Sequence, residues 1–336
     1  MNQSISPQTA IIGAGAVGSL LGGLLAKNGV DVTLVGREDH ITAINENGLQ
    51  IDGISGEFTL PIKAKTSLTF KPDAVLLAVK TQDVEKACRE IAPLAKDVPV
   101  CTLQNGLQSD AIAGRILGED NIIGGVVMFN AQYRHPGHVT HGSNGSLIIG
   151  KVSGKNDDRV LSLHAMLNDS IPTTVTDNIA GARRTKLLVN ILGNSIDALT
   201  GKPLNVCMEA PEIRRITTLI LKEALAVLEK TEVGLEPIPG VPLLPFKTAI
   251  KSPLPIASML LRKISSKITT ISSTLQSLQR GRPTEIEFLN GEIVNLSEKV
   301  QIATPFNAGV VECIGTIEQN GRFYSFAELK DIFHKR

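Results

Sequence analysis

The sequence predicts an α/β protein with a parallel sheet in its N-terminal half and a mostly helical C-terminal half. Three observations predict it. Apolar, strand-like runs alternate with helical segments over the first half of the chain. A glycine-rich turn joins the first such run to the first helix. Beyond residue 177 helical patterns succeed one another with no strand pattern between them. The expected domains are therefore 1–177 and 178–336.

Residues 9–13 form a short apolar run that reads as a buried strand, leading into the glycine turn and a helix over 19–27 closed by Asn28 and Gly29. A second strand follows over 31–35, so strand, turn, helix and strand fit one βαβ unit. A helix over 40–46 ends near Gly48. Next come a strand over 75–79, an amphipathic helix over 84–95, a strand over 98–103, a helix over 110–117 and a β-rich stretch over 122–128. Continuous apolar strands separated by helices imply a parallel sheet covered on both faces. From 129 to 150 short strands with Gly and Pro turns suggest an antiparallel edge. Helices are expected over 180–199, 211–229, 256–279 and 283–301. The stretch 236–255 carries Pro237, Pro239, Pro242, Pro245, Pro253 and Pro255, and reads as a rigid, extended connection.

Composition narrows the function. With 34 Lys+Arg against 33 Asp+Glu the net charge is +1, which argues against nucleic-acid binding through bulk positive charge. Aromatics at 3%, with no Trp, argue against base-stacking platforms. No uncharged apolar run approaches the ~18 residues that span a bilayer. The polar start lacks the basic region of a secretory signal, so a cytoplasmic protein without a membrane partner is expected. Cys88, Cys101, Cys207 and Cys313 are scattered and read as buried free thiols. His135, His138 and His141 have ligand-like spacing but no acidic or thiol neighbour in sequence, so no metal is expected.

Gly13, Ala14, Gly15, Ala16, Val17 and Gly18 form a GxGxxG motif between a strand and a helix. In that context Gly13 permits the tight turn, Gly15 lets a pyrophosphate approach the backbone and Gly18 lets helix and strand pack closely. The helix N-terminus then offers N–H groups to phosphate. These features make the first half a Rossmann-like dinucleotide-binding domain. Where an NAD site places a carboxylate after its second strand, this chain has Gly36 and Arg37. A guanidinium forks onto a 2′-phosphate, so NADP(H) is preferred, although Glu38 lies one residue on. Lys80 and Asn105 follow strands at the carboxyl ends where ligands bind in such sheets.

In the second half, Lys186, Asn190 and Asn194 recur every four residues and share one face of an otherwise apolar helix. They line either a polar ligand or solvent. Gly281 and Pro283 break and restart a helix, placing Glu285 in a first turn. There an acid is favoured by the helix dipole or pairs with Lys186.

These segments, with Gln104, Asn105 and Gly106, the Gly281–Gly291 stretch and Ala303–Asn307, resemble the ketopantoate reductase (2-dehydropantoate 2-reductase) family over nearly the whole length. The resemblance implies an NADP-dependent oxidoreductase that reduces the C2 ketone of ketopantoate to pantoate, on the route to coenzyme A. It implies that Lys186 is the general acid and that Glu285 holds and tunes it. Asn190, Asn194 and Asn105 would bind substrate, Ser273 its carboxylate, Arg37 the 2′-phosphate, and Lys80 and Asn105 would lie by the nicotinamide. Two positions depart from the family pattern: Thr270, where Asn is usual, and Ser195, where Pro is usual, with Asp197 two residues on. They leave open a relative acting on another 2-oxo acid; a non-catalytic NADPH sensor is a further alternative. A homodimer is compatible with the helical half.

Overall fold

The computed structural model describes residues 7–336; residues 1–6 of the polar start lie outside it. The chain divides into two compact units. One comprises the chain through Gln104 and then Gln108–Ala180; the other comprises Asn105–Leu107 and Gly181–Arg336.

In the first unit β1 (Gln8–Ile12), α1 (Ala16–Lys27), β2 (Asp31–Val35) and α2 (Glu38–Asn47) are followed by three short strands, β3 (Leu49–Gly53), β4 (Phe58–Leu60) and β5 (Lys63–Lys65). Alternation then resumes with β6 (Ala74–Leu77), α3 (Val84–Ala95), β7 (Val100–Thr102), α4 (Ser109–Leu117) and β8 (Ile122–Val127). The unit closes with β9 (Asn130–His135), β10 (His138–Ser143), β11 (Leu147–Lys151), α5 (Asp158–Asn168) and β12 (Thr173–Val175). The main sheet has the order β12-β11-β8-β7-β6-β1-β2-β5. From β5 to β8 neighbouring strands are parallel, and β11 returns antiparallel to β8. The pleat sorts its side chains. Ile11, Leu34, Leu76, Cys101 and Ile123 face a core completed by α1, α2 and α5. Ala10, Ile12, Val75, Leu77, Val100 and Ile122 face one completed by α3 and α4. Because β1 lies between β2 and β6, strand order reverses beside it, and the glycine turn leaves β1 at that switch point.

The stretch expected as an antiparallel edge divides between two sheets. β11 joins the main sheet, whereas β9 and β10 form a hairpin in a second sheet of order β4-β3-β10-β9, in which β10 runs parallel to β3. β3, β4 and β5 were not expected, because their short polar-apolar mixtures become strands only by pairing. That pairing also corrects the histidine reading. β10 and β3 place Asp52 beside His138, with Nε2 2.9 Å from the carboxylate and Nδ1 3.2 Å from His135 Nε2. Among the described residues no group of three or more His, Cys, Asp or Glu is arranged to hold a metal. All four cysteines are buried, and none is in a disulfide.

The second unit is helical: α6 (Ile179–Asn194), α7 (Ile196–Thr200), α8 (Leu204–Cys207), α9 (Pro211–Lys230), α10 (Leu243–Lys251), α11 (Leu254–Ser265), α12 (Ser273–Gln279), α13 (Asn290–Val300), α14 (Pro305–Asn320) and α15 (Phe326–His334). They enclose a single apolar core that runs from Leu187 to Phe333. Three expectations are corrected here. The stretch 236–255 is not extended: it contains α10 and the start of α11. Pro242 and Pro253 precede these helices while Pro245 and Pro255 lie in their first turns, where a missing N–H costs no helical bond. The helix expected over 256–279 breaks after Ser265, whose hydroxyl bonds back to the Leu261 carbonyl. The helix expected from 283 starts at Asn290, so Glu285 precedes a single 3₁₀ turn over Ile286–Phe288.

Candidate active site

In the first unit the glycine turn is shaped by close approach. Gly13 has φ +103°, and a Cβ there would lie 2.5 Å from Val79 N. A Cβ on Gly18 would lie 2.2 Å from the Gly13 carbonyl oxygen. Gly15, by contrast, is exposed, and a Cβ there would meet nothing within 4 Å. Open space thus begins at the N-terminus of α1, which has neither a side-chain cap nor an acid in its first turn. Backbone donors facing open space without a competing carboxylate fit a pyrophosphate.

Arg37 is exposed at the carboxyl end of β2 as the residue preceding α2. Lys80 is half-buried just past β6. The buried Gln104 amide ties this strand end in place, donating to the carbonyls of Leu77 at 2.8 Å and Val79 at 3.0 Å. The residues around Gln104 in the sequence carry no signal of this role, because the two carbonyls lie 25 and 27 residues away.

In the second unit Lys186, Asn190 and Asn194 lie on α6, and the structure gives each a different setting. Lys186 is half-buried, and burial pushes its amine down from an ordinary 10.5 to about 8. Burial is the cause of that shift, and Glu285 is half-buried just before the 3₁₀ turn over Ile286–Phe288. Asn190 is buried and donates to the Asn105 amide oxygen at 3.0 Å, which brings two of the expected substrate-binding residues together.

Asn194 is engaged with the protein itself. Its oxygen accepts from Ser273 Oγ at 3.1 Å, Thr274 N at 3.3 Å and Thr274 Oγ1 at 3.0 Å, and its nitrogen donates to the Asn190 carbonyl. Asn194 and Ser273 are thus in contact, and Ser273 is exposed at the start of α12. Thr270 is exposed as well.

Two further groups support this helix. Ser195 interrupts it, bonding back to the Ile191 carbonyl and across to Asn290 Oδ1 at 3.0 Å. Asn290 then donates to Asn307, and Asn307 to the Glu223 carboxylate, which also accepts the first N–H groups of α14. Asp197 accepts from Ser272 N and Oγ. The available signal for both was a polar residue in an apolar run, which needs a buried partner that sequence does not name.

Sequence comparison matches the ketopantoate reductase PanE/ApbA family over residues 9–154 and its C-terminal domain over 178–318. The chain belongs to the ketopantoate reductase family. A 2-dehydropantoate 2-reductase of Pyrococcus horikoshii is 30% identical over 299 residues, covering 88% of this chain and 93% of that protein. One from Halobacterium salinarum is 28% identical, covering 94% and 100%. Among solved structures, a family ketopantoate reductase from Ralstonia eutropha superposes with a TM-score of 0.80 at 28% identity, covering 93% and 98%. A D-mandelate dehydrogenase bound to NADH and anilino(oxo)acetate shares the fold, with a TM-score of 0.81 at 23% identity and the same coverage.

Proposed function

We propose that this family member reduces the C2 ketone of ketopantoate to pantoate with NADPH, as a step toward coenzyme A in the cytoplasm. The observation that carries the reading is Lys186: an amine held near pKa 8 by burial, on a helix face whose other polar groups are asparagines. An acid poised near neutrality matches the proton demand of carbonyl reduction. NADPH, when bound, supplies the hydride. The glycine turn of residues 13–18 holds its pyrophosphate, Arg37 its 2′-phosphate, and Lys80 and Asn105 its nicotinamide end. Residues 1–177 serve as the cofactor domain and 178–336 as the substrate domain.

Asn190, Asn105 and Ser273 orient the 2-oxo acid, with Ser273 at its carboxylate. Asn194 acts on substrate through its hold on Ser273. As carbon gains hydride, the carbonyl oxygen takes the proton from Lys186 Nζ, and water later restores it. Glu285 is assigned to tuning Lys186 by the family resemblance, and Glu285→Gln tests it through the pH profile of kcat.

The test is NADPH oxidation by the purified protein with ketopantoate, with NADH in parallel. Turnover with NADPH and little with NADH is expected, and Arg37→Ala should narrow that preference. Lys186→Ala should lose roughly 10²–10⁴ in kcat while keeping NADPH affinity. Equal loss of both would remove the general-acid role. Turnover of a different 2-oxo acid in place of ketopantoate would replace the substrate and keep the chemistry.

A further inference from the structure

The kink after α6 puts two side chains against the start of α12. Asp197, in the first turn of α7, is 1% exposed within an apolar run from Ile196 to Leu199. A carboxylate removed from water needs protein donors, and besides the Ala198 backbone it finds two on one residue. Ser272 N donates to it at 2.7 Å and Ser272 Oγ at 2.8 Å. Ser272 Oγ in turn accepts from Leu275 N at 3.2 Å and so caps α12.

Three residues earlier along the chain, Asn194 accepts from Ser273 and Thr274. Residues 272, 273 and 274 are therefore all held by two side chains spaced i, i+3. The approach to them is tied more lightly, with Gln276 Nε2 donating to the Ile271 carbonyl at 3.3 Å. Residues 267–271 form neither helix nor strand, and Lys267, Thr269 and Thr270 are exposed.

The geometry points to Asp197 as a positioning residue: by fixing Ser272 it places Ser273, and so sets affinity for the 2-oxo acid without touching the hydride step or the hold on NADPH. This rests on the proposed function, which assigns Ser273 to the substrate carboxylate. The charge is not itself required. An asparagine at 197 keeps an acceptor for Ser272 N and offers a donor to Ser272 Oγ, whereas alanine removes the acceptor of both Ser272 N and Ser272 Oγ and leaves the hydroxyl only its bond from Leu275 N.

The experiment compares wild type, Asp197→Ala, Asp197→Asn and Ser272→Ala. It measures ketopantoate kinetics at saturating NADPH, NADPH binding by fluorescence, and hydrogen exchange over residues 266–280. Asp197→Ala should raise KM about tenfold, change kcat little, leave NADPH affinity intact and speed exchange over 266–280. Asp197→Asn should stay near wild type, and Ser272→Ala should raise KM by a smaller factor. A fall in kcat at unchanged KM, or unchanged exchange in Asp197→Ala, overturns the proposal. Should Asp197→Ala not fold, Asp197→Asn and Ser272→Ala decide: equal KM values in these two and wild type overturn it. A wild type inactive on ketopantoate refutes the substrate reading instead, and exchange in Asp197→Ala still decides whether the clamp exists.

Discussion

Lys186 is held where its charge is poorly solvated, and the cost has a defined sign. The folded state binds its proton less tightly than the unfolded chain, with a pKa of about 8 against 10.5. Below pH 8 the amine is charged in both states and the full cost falls on the fold; between 8 and 10.5 the cost shrinks. Lys186→Met should therefore stabilise the protein by about 1–3 kcal/mol at pH 7, with the margin narrowing toward pH 10, while turnover is lost. Urea titrations at pH 7 and pH 10 read both. A Met variant no more stable than wild type at pH 7 would mean that the amine is well solvated. Periodicity alone placed Lys186, Asn190 and Asn194 on one face. It could not show that Asn194 spends its oxygen on Ser273 and Thr274, because those partners lie about 80 residues away.

Among the elements, helix starts and breaks were the hardest features to read. Prolines in 236–255 suggested an extended connection, yet four of them start helices, since the first N–H groups of a helix lack partners anyway. The division of α6 from α7 depends on Ser195 and on Asn290, which accepts from Ser195 and donates to Asn307. Asn290 is fully buried. Asn290→Leu should thus cost about 1–3 kcal/mol by stranding the Asn307 oxygen, seen as a lower midpoint in thermal or urea unfolding. An unchanged midpoint would show that the chain from Ser195 to Glu223 carries no stability. The helix over 84–95 and the strand over 31–35 were legible to the residue, because a strong local pattern of apolar positions suffices for them.

For the whole molecule, the two units have cores built from different residues, one around the sheet and one among the helices. A cavity in the first should be felt there first. Leu25→Ala, at a fully buried position of α1, should cost about 2–5 kcal/mol and speed hydrogen exchange chiefly over residues 8–180; a uniform rise over both units would refute this separation. The sequence by itself determined the fold class, the glycine turn between the first strand and the first helix, the arginine after β2 and the polar face of α6. Each follows from residue type and short-range spacing, which sterics and burial translate directly into structure. Only the tertiary structure decided that β9 and β10 leave the main sheet, that Asp52 meets His138, and that Asp197 and Asn194 grip residues 272–274. Those contacts join distant segments, and hydrogen-bonding demand in a sequence shows that a partner is needed without showing where in the chain it lies.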